Sequence, residues 1–121
     1  MEPALVVQGQ LDAYNAKDIE QFMTYWAEDA AYYAHPNQLL AKGANAIRTR
    51  HILRFQEPKL FGKLEYRDVI GNIVIDHELV TRTFPEGTGT VKVVCTYEVI
   101  DDKITQAWFL VGVPILDQSS S

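Results

Sequence analysis

The chain has 121 residues, of which 47% are hydrophobic, and a net charge of −5 from 11 Lys and Arg against 16 Asp and Glu. This length suits one domain with one buried core, and the hydrophobic content excludes an intrinsically disordered chain. The acidic balance argues against nucleic acid as a partner, the lack of an 18-residue apolar stretch argues against a membrane span, and a single cysteine, Cys95, excludes an internal disulfide.

The N-terminus has no basic stretch followed by a long apolar run, so we expect a cytoplasmic protein without a signal peptide. Positive charge is concentrated in residues 42–63, where Glu57 is the single acid among six bases: Lys42, Arg48, Arg50, Arg54, Lys59 and Lys63. We interpret this segment as a solvated helix face, with an anion-binding patch as the alternative.

The first half of the chain predicts three helices and two short strands. Apolar residues at helical spacing after Pro3 predict a first helix over residues 3–15, and Asp18 with Gln21 resembles a capping box that opens a second, short helix. Short strands are expected over 29–35, ending at Pro36, and over 39–42. A third helix is expected over 44–56, with one apolar stripe formed by Ala44, Ile47, His51 and Phe55.

From residue 61 the apolar period changes to two, which is typical of strands. We expect a turn or bulge at Gly71-Asn72, a loop over 85–89, a tight hairpin at Asp101-Asp102 and a last strand over 104–113. Alternation places His77 on the face opposite Asp76 and Glu78, so these three residues cannot form a direct triad. Helices followed by long antiparallel strands predict an α+β fold.

This order of elements resembles the nuclear transport factor 2-like superfamily. The resemblance is carried by residues 6–18, by Tyr25-Trp26-Ala27-Glu28-Asp29-Ala30, by Gly43 with Ala46-Ile47-Arg48, and by the last hairpin, from Tyr97-Glu98-Val99 to Ala107-Trp108-Phe109. The nearest branch looks like the ketosteroid-isomerase-like and polyketide-cyclase-like (SnoaL-like) proteins. It implies one cone-shaped domain over residues 1–116, with a helical hairpin and a third helix on a curved, mainly antiparallel sheet, and a frayed tail over 117–121.

The resemblance also implies a pocket between the helices and the concave face of the sheet, and a homodimer built through the sheet. Position by position, the residues of the isomerase reaction are missing, which excludes an authentic steroid isomerase. The base position before the proline holds His35, the helix-one tyrosine falls on or near Gln10, and the second acid falls on Cys95 or Thr96.

The expected catalytic residues are His35 as base, with His51 and a tyrosine, Tyr14 or Tyr32, as donors. The expected pocket wall consists of Gln10, Ile47, Phe55, Cys95, Tyr97 and Trp108. Each of these residues has an ordinary structural alternative, such as a hydrogen-bonded histidine or an aromatic ring that only fills the core.

Neither a metal site nor a phosphate loop is predicted, because no convergent ligand spacing appears and Gly87-Thr88-Gly89 precedes a strand. We expect no cofactor and a small apolar molecule as the partner. Three functions stay open: a cofactor-independent isomerase- or cyclase-like enzyme acting on a small apolar carbonyl compound, a non-catalytic binding module, and a dimerisation domain with a filled core.

Overall fold

The computed structural model describes residues 1–117, and within them three helices lie against one mixed sheet. The helices are α1 (Pro3–Ala16), α2 (Ile19–Met23) and α3 (Ala44–Arg54). α1 begins with Pro3 in its first turn and ends at Lys17, which adopts a left-handed conformation with φ of 56°. The predicted cap of α2 is present, because the Asp18 carboxylate accepts a hydrogen bond from the Gln21 N–H at 3.0 Å.

The sheet contains seven strands: β1 (Trp26–Ala34), β2 (Gln38–Lys42), β3 (Phe61–Ile70), β4 (Ile73–Phe84), β5 (Gly87–Ile100), β6 (Lys103–Val111) and β7 (Ile115–Leu116). Their order is β2-β1-β6-β5-β4-β3, and β7 pairs with β5 at one end. β1 and β6 are parallel, and the other neighbours are antiparallel. The α+β prediction is confirmed.

Two strand boundaries differ from the prediction because of pairing with neighbouring strands. β1 begins at Trp26 rather than 29 because Trp26 pairs with Ile104 of β6, a contact that no local pattern reveals. β5 begins at Gly87 inside the expected loop because Gly87 pairs with Phe84 across the two-residue turn Pro85-Glu86, and Gly89 pairs with both Arg82 and Leu116. The short strand β7 was not predicted, and β6 ends at Val111, two residues before the expected position.

Strand register decides which side chains face the helices. Ala34, Phe109, Cys95 and Asp76 are successive partners across β1, β6, β5 and β4, and they share the inner face. Val111, Val93 and Glu78 form the next inner row. Trp108 pairs with Tyr33 and Thr96 in a row of the outer face, where the Trp108 and Tyr33 rings stack at 5.8 Å.

The core lies between this inner face and the helices. Val6 and Val7 of α1, Phe22 of α2 and Ile47 of α3 are fully buried in it. No helix within residues 1–117 is both long and apolar enough to cross a membrane. Of the predicted tail, residues 118–121 lie outside the described residues, whereas the Asp117 N–H donates to the Thr88 carbonyl at 2.9 Å.

Candidate functional site

A cavity of about 200 Å³ lies between α1, α3 and the inner face of the sheet. Its lining comes from two helices and five strands and consists of Gln10, Leu11, Tyr14, Tyr32, Ala34, Leu40, Arg50, His51, Arg54, Glu78, Val80, Arg82, Val91, Val93, Cys95, Tyr97, Phe109 and Val111. Apolar walls with a few convergent polar groups are typical of small-molecule sites.

His51 is buried among the rings of Tyr14, Phe22, Tyr32 and Phe55, the nearest of which, Phe22, is 4.6 Å away between centroids. Its Nδ1 lies 2.8 Å from the Ile47 carbonyl oxygen. Because a carbonyl only accepts, Nδ1 carries the proton and Nε2 of the neutral ring is an acceptor. Burial, reinforced by the charges of Arg54 and Arg50, lowers the pKa of His51 to about 4, so the ring is neutral at pH 7.

Tyr14 and Tyr32 contribute hydroxyl groups to the same cavity. Burial raises the pKa of Tyr14 to about 12, and burial also raises the pKa of Tyr32. Both phenols are therefore protonated at neutral pH and can donate hydrogen bonds. The Arg50 guanidinium carbon lies 5.2 Å from the centre of the Tyr32 ring, which places a positive charge over the ring face.

Glu78 is the carboxyl group of the cavity, and it was not among the residues expected from the sequence. It lies on the inner face of β4 with 6% of its surface exposed. Burial, followed by the nearby charge of Asp76, raises the pKa of Glu78 to about 7, while the Cys95 thiol and Arg67 act in the opposite direction. A carboxyl group with this pKa can both accept and release a proton near neutral pH.

Gly62 and the Arg67–Asp76 ion pair are the features beside Glu78 that shape its surroundings. A Cβ at Gly62 would lie 2.9 Å from Glu78 Oε1, so only a glycine at position 62 leaves the carboxyl group its present space. The fully buried Asp76 receives two hydrogen bonds from Arg67, Nε to Oδ1 at 2.6 Å and Nη2 to Oδ2 at 2.8 Å. Arg67 Nη1 also donates to Gln8 Oε1 at 2.9 Å, which ties this pair to α1.

Cys95, Tyr97 and Gln10 complete the polar part of the wall near Glu78. Burial raises the pKa of the Cys95 thiol and of the Tyr97 hydroxyl well above their ordinary values, so both groups are protonated at neutral pH. A protonated, buried thiol is a poor nucleophile. Cys95 is therefore a wall residue with a weak donor.

Three residues line both the cavity and a shallow outer cleft: Arg50, Arg54 and Arg82. They therefore lie where the two spaces meet. Arg82 Nη2 lies 2.6 Å from Glu57 Oε2, and Arg54 Nε lies 3.7 Å from the same oxygen. Arg50 Nε is buried and has no hydrogen-bond partner within residues 1–117. The basic segment 42–63 therefore contributes two charges to the cavity as well as solvated positions such as Lys42, Lys59 and Lys63.

Of the predicted site residues, six line the cavity: Gln10, Tyr14, Tyr32, His51, Cys95 and Tyr97. Phe109, rather than Trp108, contributes the aromatic wall of β6, because alternation turns Trp108 to the outer face. Ile47 and Phe55 are buried in the core behind the wall, where they pack in the layer that surrounds His51.

His35, the expected base, is not a lining residue. It follows Ala34, whose side chain faces the cavity, and the His35 N–H donates to the Phe109 carbonyl at 2.9 Å. The alternation at the end of β1 therefore gives the inward position to Ala34. Among residues 1–117, no group of three His, Cys, Asp or Glu side chains is arranged to hold a metal ion.

The sequence profile of the SnoaL-like domain family matches residues 7–107, so the chain belongs to this family. The family resemblance inferred from the sequence is confirmed. No curated protein matches the chain in sequence.

Solved structures with the same fold include an uncharacterised cystatin-fold protein from Novosphingobium aromaticivorans, at 22% identity and a TM-score of 0.84, covering 91% of this chain and 98% of that one. A candidate SnoaL-like polyketide cyclase from Shewanella denitrificans matches at 13% identity and a TM-score of 0.76, covering 90% and 89% of the two chains. A computationally designed 17-OHP binder matches at 19% identity and a TM-score of 0.78, covering 90% and 91%. At these identities the likeness concerns the fold.

Proposed function

We propose that the chain is a cofactor-independent, isomerase- or cyclase-like enzyme that binds a small, mostly apolar carbonyl compound in the cavity and moves a proton with Glu78. The observation that carries this proposal is a carboxyl group with a pKa of about 7 on the wall of an otherwise largely apolar cavity. General bases work best when their pKa lies near the working pH. The naming of one fold relative as a candidate polyketide cyclase agrees with this class of chemistry.

In the proposed step the Glu78 carboxylate removes a proton from the carbon next to the substrate carbonyl. The electron pair of the broken C–H bond forms a C=C bond, and the carbonyl oxygen becomes an enolate oxygen. The hydroxyl of Tyr14 or Tyr32 donates a hydrogen bond to that oxygen, since both phenols stay protonated. Where a C=C bond adjoins the deprotonated carbon, the enolate is a dienolate, and Glu78 returns the proton to its far carbon as the double bond shifts and the C=O bond re-forms. Where a second carbonyl lies in the same molecule, the enolate carbon attacks it, the first C=O bond re-forms, and the new alkoxide takes the proton from Glu78.

This assignment changes two roles expected from the sequence. Glu78 takes the place of His35 as the base, because His35 does not line the cavity. His51 acts as an acceptor through Nε2, because its only ring proton is donated to the Ile47 carbonyl. His51 therefore orients a donor group of the ligand and does not protonate it.

The proposal is tested with phenylacetone, a small neutral ketone, dissolved in deuterium oxide near pH 7. Loss of the proton signals next to the carbonyl, followed by NMR, should be faster with the wild-type protein than in buffer. Glu78→Gln should lower this rate by at least about a hundredfold, the usual contribution of a general base. Glu65→Gln, an exposed change of the same kind on β3, should leave the rate unchanged.

Equal exchange rates for wild type and Glu78→Gln would rule out Glu78 as the base. Saturable binding of phenylacetone without any exchange would favour the second candidate, a non-catalytic binding module. That candidate is supported by the lack of the isomerase acids and by a fold neighbour that is a designed binder of 17-OHP.

We also propose that two copies associate through the outer face of the sheet. The support is an outer face rich in aromatic side chains, with Tyr66 59% exposed and packed against His77 at 5.7 Å. Exposed apolar side chains such as Leu110 extend this surface. Light scattering should then give twice the mass of the 13.7 kDa chain, and a monomer at micromolar concentration would contradict this association.

A further inference from the structure

The two ends of the cavity differ in charge. The charges that act on the pKa of Glu78 belong to Asp76 and Arg67. The pKa values of His51 and Tyr32 are lowered by the charges of Arg50 and Arg54. The pKa of Tyr14 is lowered in the same way by the charges of Arg54 and Arg82. The cavity therefore has a carboxyl end at Glu78 and a guanidinium end at its entrance.

The guanidinium end has more positive charge than its neighbours neutralise. Arg50, Arg54 and Arg82 lie together at the entrance, and within residues 1–117 the carboxylate that pairs with them is Glu57. Glu57 is already engaged, because it accepts hydrogen bonds from Arg82 Nε and Nη2 and from the Thr83 N–H. Three guanidinium groups therefore share one carboxylate, and within residues 1–117 Arg50 has no carboxylate partner.

Arg50 is the guanidinium with the clearest unmet requirement. Within residues 1–117 its Nε–H is buried and has no hydrogen-bond partner, and its planar group lies over the Tyr32 ring at the cavity wall. A buried donor without a partner costs free energy, so an acceptor supplied by a ligand would be bound favourably. A planar guanidinium fits a carboxylate with two parallel hydrogen bonds.

We propose that the natural ligand is a small carboxylic acid whose carboxylate binds Arg50 and Arg54 at the entrance while its apolar body extends along Val80, Val93 and Phe109 toward Glu78. This proposal rests on the proposed function for the identity of the cavity, and it adds the substrate class, a keto acid or related carboxylate. The carboxylate end would fix the orientation of the molecule and bring its carbonyl end to Glu78.

The test compares phenylacetate with phenylacetamide, which has the same shape and no charge. Binding is measured by NMR titration of the wild-type protein in a buffer free of phosphate. Phenylacetate should bind at least tenfold more tightly than phenylacetamide, and this preference should weaken as salt rises from low to physiological concentration. Arg50→Gln and Arg54→Gln should each lower phenylacetate affinity at least fivefold more than they lower phenylacetamide affinity, because the neutral amide loses a hydrogen bond but no ion pair.

Arg48→Gln is the matched control. It removes the same charge from the same helix, but Arg48 pairs with Glu20 and does not line the cavity. Phenylacetamide that still binds a variant shows that the cavity is intact, and if Arg50→Gln does not fold, Arg54→Gln carries the test alone.

Equal affinity for the two probes, or no binding of phenylacetate, would overturn the carboxylate proposal. Inorganic phosphate that binds as tightly as phenylacetate would overturn it too, because the apolar wall would then contribute nothing. The proposed function fails separately, in the deuterium exchange of the neutral ketone, which needs Glu78 and does not need the arginines.

Discussion

Glu78 and His51 line the same cavity, and burial acts on their pKa values in opposite directions. The pKa of Glu78 rises from 4.5 to about 7, so the folded protein holds this proton more tightly than the unfolded chain. The free energy of unfolding therefore falls as pH rises from 4.5 to about 7, by about 3 kcal/mol. The pKa of His51 falls from 6.5 to about 4, so the unfolded chain is protonated first and stability is lost as pH drops through this range.

The two pH ranges overlap, so the contributions of Glu78 and His51 to the free energy of unfolding largely cancel in the wild-type protein. Single substitutions should separate these contributions. The free energy of unfolding of Glu78→Gln, relative to wild type, should increase by about 3 kcal/mol from pH 4.5 to about 7. For His51→Gln the same difference should decrease by a similar amount from about pH 4 to 6.5. Urea denaturation at several pH values measures both slopes.

Glu65→Gln serves as the control, since an exposed glutamate should give a curve parallel to wild type. A Glu78→Gln curve that also runs parallel to wild type would show that Glu78 titrates alike in the folded and unfolded protein. The proposed role of Glu78 as a base near neutral pH would then lose its physical basis.

Some cavity residues could be predicted from helical spacing and strand alternation, and Glu78 could not. Helical spacing placed Tyr14 and His51 on inward faces, and strand alternation paired Cys95 with Tyr97. Alternation alone does not say which face of β4 is inward, and the face with Asp76 and Glu78 contains more charge than the face with Ile73 and Ile75. The register with β5, which sets Glu78 opposite Val93, decides the matter.

At the scale of elements, the Asn15 side chain joins the end of α1 to β3. Asn15 Nδ2 donates to the Gly62 carbonyl at 2.9 Å, and Asn15 Oδ1 accepts from the Gly62 N–H at 2.7 Å. Both peptide groups belong to a buried residue of β3, so the amide replaces the strand partner that an edge strand lacks.

Asn15→Ala should lower the free energy of unfolding by about 2–3 kcal/mol, because it leaves a buried N–H and C=O without partners. Asn15→Asp should also destabilise, since a carboxylate can accept from the N–H but is repelled by the carbonyl. Urea denaturation measures these changes. Asn45→Ala, an exposed change on α3, should stay within about 0.5 kcal/mol of wild type, and an equally small effect of Asn15→Ala would contradict the role of Asn15 in joining α1 to β3.

Most elements were predictable because their signals are local, as with the Asp18 cap, the turn at Gly71-Asn72 and the hairpin at Asp101-Asp102, where both aspartates have positive φ. The early start of β1 and the existence of β7 depend on pairing with residues 25 or more positions away in the sequence. Such pairing follows from the order of the strands in the sheet and not from the residues of the strand itself.

At the scale of the whole molecule, a larger side chain on the inner face of the sheet should fill the cavity and block ligand binding. Val93→Phe places a larger side chain into the 200 Å³ cavity, where space exists to receive it. The free energy of unfolding should change by less than about 1.5 kcal/mol, while NMR titration should show at least a tenfold loss of phenylacetone affinity. Val94→Phe, the next residue on the outer face, is the matched control and should leave affinity unchanged.

Retained affinity in Val93→Phe would place the ligand somewhere other than this cavity. Equal losses in both variants would point to a general disturbance of β5. The comparison is sharp because the two residues are adjacent in the chain and differ in the face to which they belong.

The parallel pairing of β1 with β6 has a consequence for how the chain is made. β1 and β2 reach the rest of the sheet only through β6, so a ribosome must release residues 103–111 before the two parts can join. Until then the nascent chain consists of a helical piece with the β1–β2 hairpin and a separate β3–β4–β5 meander, each with a bare strand edge. Unfinished chains that lack β6 therefore expose unpaired strand edges, which favour aggregation.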